Sequence, residues 1–207
     1  MKKIVIIAST EGSVISNAIK KNDLFSSVYM VVSDRPCGAI EFAEENGIRT
    51  CILESSDGYE FSDKLCDFFN NESIDYFISF YTRLFRGDFL SIYAEKIFNF
   101  HPSLLPACPG MDGFGDTIRS GSLYFGSTVH LVDGNIDTGK PVMQSVFPFQ
   151  PDIDFDRNRH LLFVQQCKMF VQLITWLIEN RYNQEYFDDV SYEFSEFVPN
   201  LEMNIKT

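Results

Sequence analysis

Lys3-Ile4-Val5-Ile6-Ile7-Ala8-Ser9-Thr10-Glu11-Gly12-Ser13-Val14 is the stretch that sets the architecture. Its first half is a short β-branched apolar run, the composition of a strand buried on both faces. The run stops at a polar turn containing Gly12, and Val14 to Lys21 then takes up the spacing of an amphipathic helix, with Ser13 as candidate N-cap. The same alternation continues downstream. Val28 to Ser33, Arg49 to Leu53 and Tyr76 to Phe80 read as buried strands, and Ala39 to Asn46 and Phe61 to Phe69 as the helices between them, with Gly47 and Gly58 as turn residues. Strands alternating with helices predict an α/β protein whose mostly parallel sheet carries helices on both faces.

A fifth strand, Lys96 to Phe100, runs straight into His101-Pro102-Ser103-Leu104-Leu105-Pro106, where the prolines impose an extended turn. Tyr124 to Val132 and Pro141 to Phe149 predict two more strands joined through Asp133-Gly134-Asn135-Ile136-Asp137-Thr138-Gly139, a hairpin with a long connection that makes part of the sheet antiparallel. From Asp156 to Arg181 the stripe Phe163, Cys167, Phe170, Ile174 and Leu177 predicts a long helix packed on the sheet. The expected division is therefore one domain over residues 1–181 and an acidic, aromatic C-terminal extension over 182–207. That extension has Glu185, Asp188, Asp189, Glu193, Glu196 and Glu202 against the single base Lys206.

A chain of 207 residues with 45% hydrophobic content, 21 Phe and 9 Tyr buries a substantial core without disulfides or metals. A net charge of -12 opposes nucleic acid and anionic membranes as partners. Cys37, Cys51, Cys66, Cys108 and Cys167 lack the paired spacing of zinc sites or disulfide frameworks, so they read as reduced thiols of a cytoplasmic protein. No metal is expected, since the three histidines are dispersed and none has a Cys or carboxylate at metal spacing. No apolar stretch was expected to approach the roughly 20 residues of a membrane span.

The chemistry gathers at the end of the fifth strand. Residues two apart on a strand share a face, so Asn99 and His101 project together while Phe100 turns into the core. With Asp137 they combine an amide donor, a group that titrates near neutrality and a carboxylate able to orient it. Such a set suits acyl transfer to an amine, in which donors preplaced around the carbonyl oxygen are worth roughly 10²–10³ in rate each. On the residues alone, an Asn-x-His beside a distant Asp in an α/β protein is more often structural than catalytic.

The motifs around these residues narrow the reading. Asn99-Phe100-His101-Pro102-Ser103-Leu104-Leu105-Pro106, Pro109-Gly110, Gly126-Ser127-Thr128-Val129-His130-Leu131-Val132 and Ile136-Asp137-Thr138-Gly139-Lys140-Pro141-Val142-Met143-Gln144 occur in this order. Together they resemble the signature of the 10-formyltetrahydrofolate-dependent formyltransferases, with the glycinamide-ribonucleotide branch nearest, over Lys3 to about Arg181. The resemblance implies a Rossmann-like formyltransferase fold and Asn99, His101 and Asp137 as the catalytic residues. It implies 10-formyltetrahydrofolate as cosubstrate and a small-molecule amine as partner, first of all glycinamide ribonucleotide in purine biosynthesis. Thr82, Arg83, Leu84, Phe85, Val132, Asp133, Asn135 and Ile136 fall where the family lines its pterin pocket, and Gly12, Ser13, Pro102 and Gln166 where it meets the amine substrate. Leu84 and Phe85 equally suit core packing, and Arg83 a surface cation. His130 reads as a structural strand residue, and His160 as a solvated one. Monomer and homodimer both stay open.

Four places depart from the purine-enzyme pattern: Glu11 and Val14 in the first loop, Gln166 in place of an acid, the segment Met111-Asp112-Gly113-Phe114-Gly115-Asp116, and Phe125. All four are expected on the amine side. They keep an amino sugar attached to a nucleotide as the alternative acceptor. Formyltetrahydrofolate hydrolysis and a non-catalytic folate-binding role are the remaining readings.

Overall fold

The computed structural model describes residues 2–150 and 154–181; the acidic segment 182–207 lies outside the described residues. Seven strands form one sheet: β1 (Ile4–Ala8), β2 (Met30–Ser33), β3 (Thr50–Ile52), β4 (Tyr76–Phe80), β5 (Ile97–His101), β6 (Tyr124–Leu131) and β7 (Pro141–Pro148). Their order is β3-β2-β1-β4-β5-β6-β7. The first five run parallel, while β6 is antiparallel to both β5 and β7. The mixed sheet expected from the sequence is therefore present. The strand order reverses between β1 and β4, and in such sheets ligands bind beyond the carboxyl ends of the strands at that reversal.

Alternation along β1 sorts the core into two layers. Ile4, Ile6 and Ala8 join α1 (Ser13–Asn22), α2 (Gly38–Glu45) and the C-terminal half of α6 (Phe155–Ile178) on one face. Val5 and Ile7 join α3 (Gly58–Phe69) and α4 (Asp88–Ile92) on the other. A smaller cluster of Phe114, Phe125 and Leu162 sits under α5 (Gly113–Arg119).

Several expectations are corrected. Helices α4 and α5 were not foreseen, because each is under three turns and too short to show the helical spacing of apolar residues. Gly58 is not a turn residue but the first residue of α3, with the Asp57 carboxylate accepting hydrogen bonds from the Tyr59 and Glu60 amides. Ser13 is not the N-cap of α1. Gly12 holds that place at φ 66°, with no side-chain cap, and its buried Cα packs against Ala39, whose Cβ lies 2.7 Å from where a Gly12 Cβ would stand. In α6 the fully buried side is Leu162, Met169, Phe170, Leu173, Ile174 and Leu177, so the expected stripe holds only in its C-terminal half; Phe163 faces the cavity described below. By length and composition α6 is also apolar enough to cross a membrane, contrary to the expectation that no stretch was. Here its buried residues pack on the sheet.

Candidate active site

A cavity of about 810 Å³ opens at the carboxyl ends of β1, β4 and β5 and is closed on the far side by α6. The volume falls in the range of small-molecule sites. Across the strand reversal the loops after β1 and β4 are tied together: the Thr82 amide donates to Ser9 Oγ at 3.1 Å, and the two hydroxyls stand 3.0 Å apart.

Asn99 and His101 both line the cavity, while Phe98 and Phe100 point into the opposite core layer. The antiparallel register sets His130 on β6 directly beside Asn99. His130 Nδ1 donates to the Leu131 carbonyl at 2.9 Å, and Asn99 Nδ2 stands 3.2 Å from Nε2, where the Asn99 amide donates whenever that nitrogen carries no proton. An amide nitrogen carries two N–H groups, so one remains for the cavity. His130 is thus the buried strand residue expected and also borders the cavity; no signal in the sequence disclosed the second part, which comes from the β5–β6 pairing.

Asp137 reaches the same point from the β6–β7 loop in left-handed backbone, φ 51°. Its Oδ2 lies 3.3 Å from His101 Nδ1, and its Oδ1 lies 3.6 Å from His130 Nε2. The Gly110 amide donates to Oδ2 at 2.8 Å. Burial pushes this carboxyl up, but the His130 contact, the Gly110 amide and the charges of the two imidazoles outweigh it and hold the group below the usual range. His101 Nε2 lies 2.8 Å from the Cys108 carbonyl, which also accepts from Ser103 Oγ at 3.1 Å. A carbonyl only accepts, so Nε2 carries the proton there.

The turn after β5 is pinned from β6 and β7. Thr128 Oγ1 donates to the Ser103 carbonyl at 2.7 Å, and Gln144 Nε2 donates to the Leu105 carbonyl at 2.8 Å. This pinning carries Cys108 and Gly110 to His101 and Asp137, a function that the Pro109-Gly110 motif had not disclosed.

Of the residues expected to line a pterin pocket, Thr82, Arg83, Leu84, Phe85, Val132, Asp133, Asn135 and Ile136 all border the cavity. Phe85 is also core, 5.1 Å from the Tyr81 ring in a stacked arrangement. Arg83 is not a loose surface cation: Nη1 donates to Asp34 Oδ2 at 2.7 Å and to the Ser55 carbonyl at 3.1 Å. Asp34, its side chain fully buried, also takes a two-pronged contact from Arg35 at 2.8 and 2.9 Å. Beside them the Tyr81 hydroxyl is pushed up to about 12 by burial and the Asp34 charge, against the opposing Arg83. Asp133 spends its carboxylate inside its own loop, on the Asn135 amide and the Thr138 hydroxyl.

On the other side stand Thr10, Ser13, Pro102, Met111, Asp112, Phe114, Phe155, Arg159, Phe163 and Gln166. Gly12 does not border the cavity itself; it shapes the helix start that does. The Glu11 carboxylate lies against Gly38 at the start of α2 and is outside the cavity lining, so the charge introduced in this loop is turned away. Gln166 Nε2 donates to Ser127 Oγ at 3.1 Å, and Ser127 Oγ donates to the His101 carbonyl at 2.8 Å. Two of the four departures do not face the amine side: in the first loop Glu11 is turned away and Val14 packs against the core, and Phe125 is buried against Phe114 and Phe147.

Comparison with known proteins agrees with this geometry. The profile of the family described as Formyl transferase matches residues 2–173. The phosphoribosylglycinamide formyltransferase of Bacillus subtilis (strain 168) is 33% identical over 175 residues, spanning 80% of this chain and 86% of that protein. The chloroplastic phosphoribosylglycinamide formyltransferase of Vigna unguiculata is 28% identical over 193 residues, and there the match spans 87% of this chain but 62% of the relative. Among solved structures, glycinamide ribonucleotide transformylase 1 from Geobacillus kaustophilus superposes with a TM-score of 0.76 at 31% identity, covering 86% of this chain and 98% of that one.

Proposed function

Since the chain belongs to the formyl transferase family, we propose that it moves the formyl group of 10-formyltetrahydrofolate onto a primary amine, with glycinamide ribonucleotide as acceptor. The observation that carries this reading is the convergence of Asn99, His101 and Asp137 on one cavity wall. A folate suits the remainder, where the apolar Leu84, Phe85, Val132 and Ile136 line the cavity together with Asp133 and Asn135.

The donor supplies the formyl carbon: a bond from the amine nitrogen to that carbon forms, the bond from the carbon to N10 breaks, and N10 keeps the electron pair and takes up a proton. As the amine attacks, negative charge gathers on the formyl oxygen. The free N–H of Asn99 and the ring N–H of His101 stabilise it, an effect that counts most where water is excluded. Asp137 orients His101 and accepts, through a water, the proton that the amine loses. Residues Thr10 and Ser13 at the start of α1 border the acceptor side, where helix amides favour the acceptor phosphate.

One observation favours a second acceptor class. Where an acid would meet the substrate ammonium, Gln166 is committed to Ser127, and α6 offers Phe155, Arg159 and Phe163 around it. That wall suits an amino sugar attached to a nucleotide. The test mixes the full-length protein with 10-formyltetrahydrofolate and, in parallel, glycinamide ribonucleotide or nucleotide-linked amino sugars, following tetrahydrofolate release by absorbance. Release with glycinamide ribonucleotide supports the first reading, and release only with a sugar supports the second. Folate binding without release to any amine would overturn both.

A further inference from the structure

We infer that Gly113 is a positioning residue for His101, because the missing side chain at the start of α5 is what lets the imidazole lie between the Cys108 carbonyl and the Asp137 carboxylate. This rests on the proposed role of His101 in formyl transfer. A Cβ built on Gly113 would stand 2.5 Å from His101 Nε2, 3.0 Å from its Cε1 and 3.2 Å from the Cys108 carbonyl oxygen. Carbon and ring atoms do not approach so closely, so one of the partners would have to move.

The surroundings decide which partner moves. His101 is 3% exposed, and its backbone is fixed by pairing with Thr128 on β6. Its carbonyl is held by Ser127 Oγ at 2.8 Å. The Cys108 carbonyl is held in turn by Ser103 Oγ. On the other side Asp112 anchors the first turn of α5, accepting from the Gly115 amide at 3.2 Å and from Arg119 at 2.7 Å. With both backbones held, the imidazole is the part free to turn about its own side-chain bonds. Turning it breaks the 2.8 Å contact to Cys108 and the 3.3 Å contact to Asp137 together. Gly113 itself needs no unusual backbone, since it is helical and absent from the positive-φ glycines; the close approach of the ring, with the Cys108 carbonyl as a lesser neighbour, accounts for a residue without a side chain here.

The experiment is a double-mutant cycle on the full chain with Gly113→Ala and His101→Ala. Gly113→Ala alone lowers Tm, by about 2–4 °C or more for a chain of this size. In the His101→Ala background the same change leaves Tm unaltered or raises it, because alanine favours the helix. In the His101-containing protein the Gly113→Ala change also moves the His101 Cε1–H resonance. It cuts kcat at least tenfold and leaves KM for the formyl donor within about twofold. An equal Tm change in both backgrounds, or an unmoved His101 resonance with unchanged kcat, overturns the inference. If the unsubstituted protein transfers no formyl group to any amine, the functional reading fails, while the Tm cycle and the resonance still decide the contact.

Discussion

Asp137 and His101 meet at 3.3 Å between Oδ2 and Nδ1, although one comes from the end of a parallel strand and the other from the loop of an antiparallel hairpin. Their contact gives the carboxylate a role that grows as charge develops on the reacting oxygen. Asp137→Asn is therefore expected to lower kcat by about two to four powers of ten while leaving folate affinity near normal, since the lost interaction belongs to the transition state. Steady-state kinetics paired with a folate-binding titration checks it. A collapse of folate binding in this variant would assign Asp137 to architecture instead.

The same carboxyl links stability to pH. Its folded-state affinity for protons is depressed by His130, Gly110 and His101 against the opposing effect of burial. A depressed carboxyl contributes stability that is fully present above its unfolded pKa, about 3.9, and is lost as pH falls through the lower folded value. Tm measured from pH 6 downward should fall less steeply below about pH 4 in Asp137→Asn than in the parent. Parallel curves would remove Asp137 from the acid transition.

The sheet was legible because its strands stand out as apolar, β-branched or aromatic runs: all seven appear within two residues of where Ile4–Ala8 and its successors lie, although β3, expected to be buried, is an edge strand with Ile52 exposed. Asn99 and His101 were legible from period-two geometry. Asp137 was placed by motif, since nothing in its own sequence reveals that left-handed backbone turns it back toward β5. The place of His130 at the cavity was missed for a related reason: Val129 and Leu131 give it the look of an ordinary strand residue, and only the β5–β6 register puts it beside Asn99. The Asp34–Arg83 pair was hidden because it joins the ends of two strands distant in sequence.

That pair leads to a prediction of non-additivity. Asp34 is fully buried and shared by two guanidinium groups that are each partly exposed. Removing one, in Arg83→Met or Arg35→Met, leaves the carboxylate with the other and should cost about 1 kcal/mol. Removing both strands a buried charge, and the loss should reach about 3–5 kcal/mol, more than the sum of the single changes. Urea unfolding of the two single variants and the double variant measures the coupling. Strict additivity would mean that water already reaches Asp34.

Gly12 lies between Ser9, which is tied to the loop after β4, and the start of α1, which borders the cavity. It caps α1 at φ 66°, a conformation costing a residue with a side chain about 1–3 kcal/mol, and an added Cβ would also press on Ala39. Gly12→Ala must therefore shift the helix start against α2. Thr10 and Ser13, which flank it, border the acceptor side of the cavity, whereas the loop after β4 that borders the folate side is tied to Ser9, before the turn. The displacement should reach the acceptor first: KM for the amine is expected to rise about tenfold or more, with KM for 10-formyltetrahydrofolate changed by less than about threefold. Initial-rate measurements with each substrate varied in turn distinguish the two. An equal rise in both constants would mean that the loops after β1 and β4 move as one body, and that the helix start has no separate part in holding the acceptor.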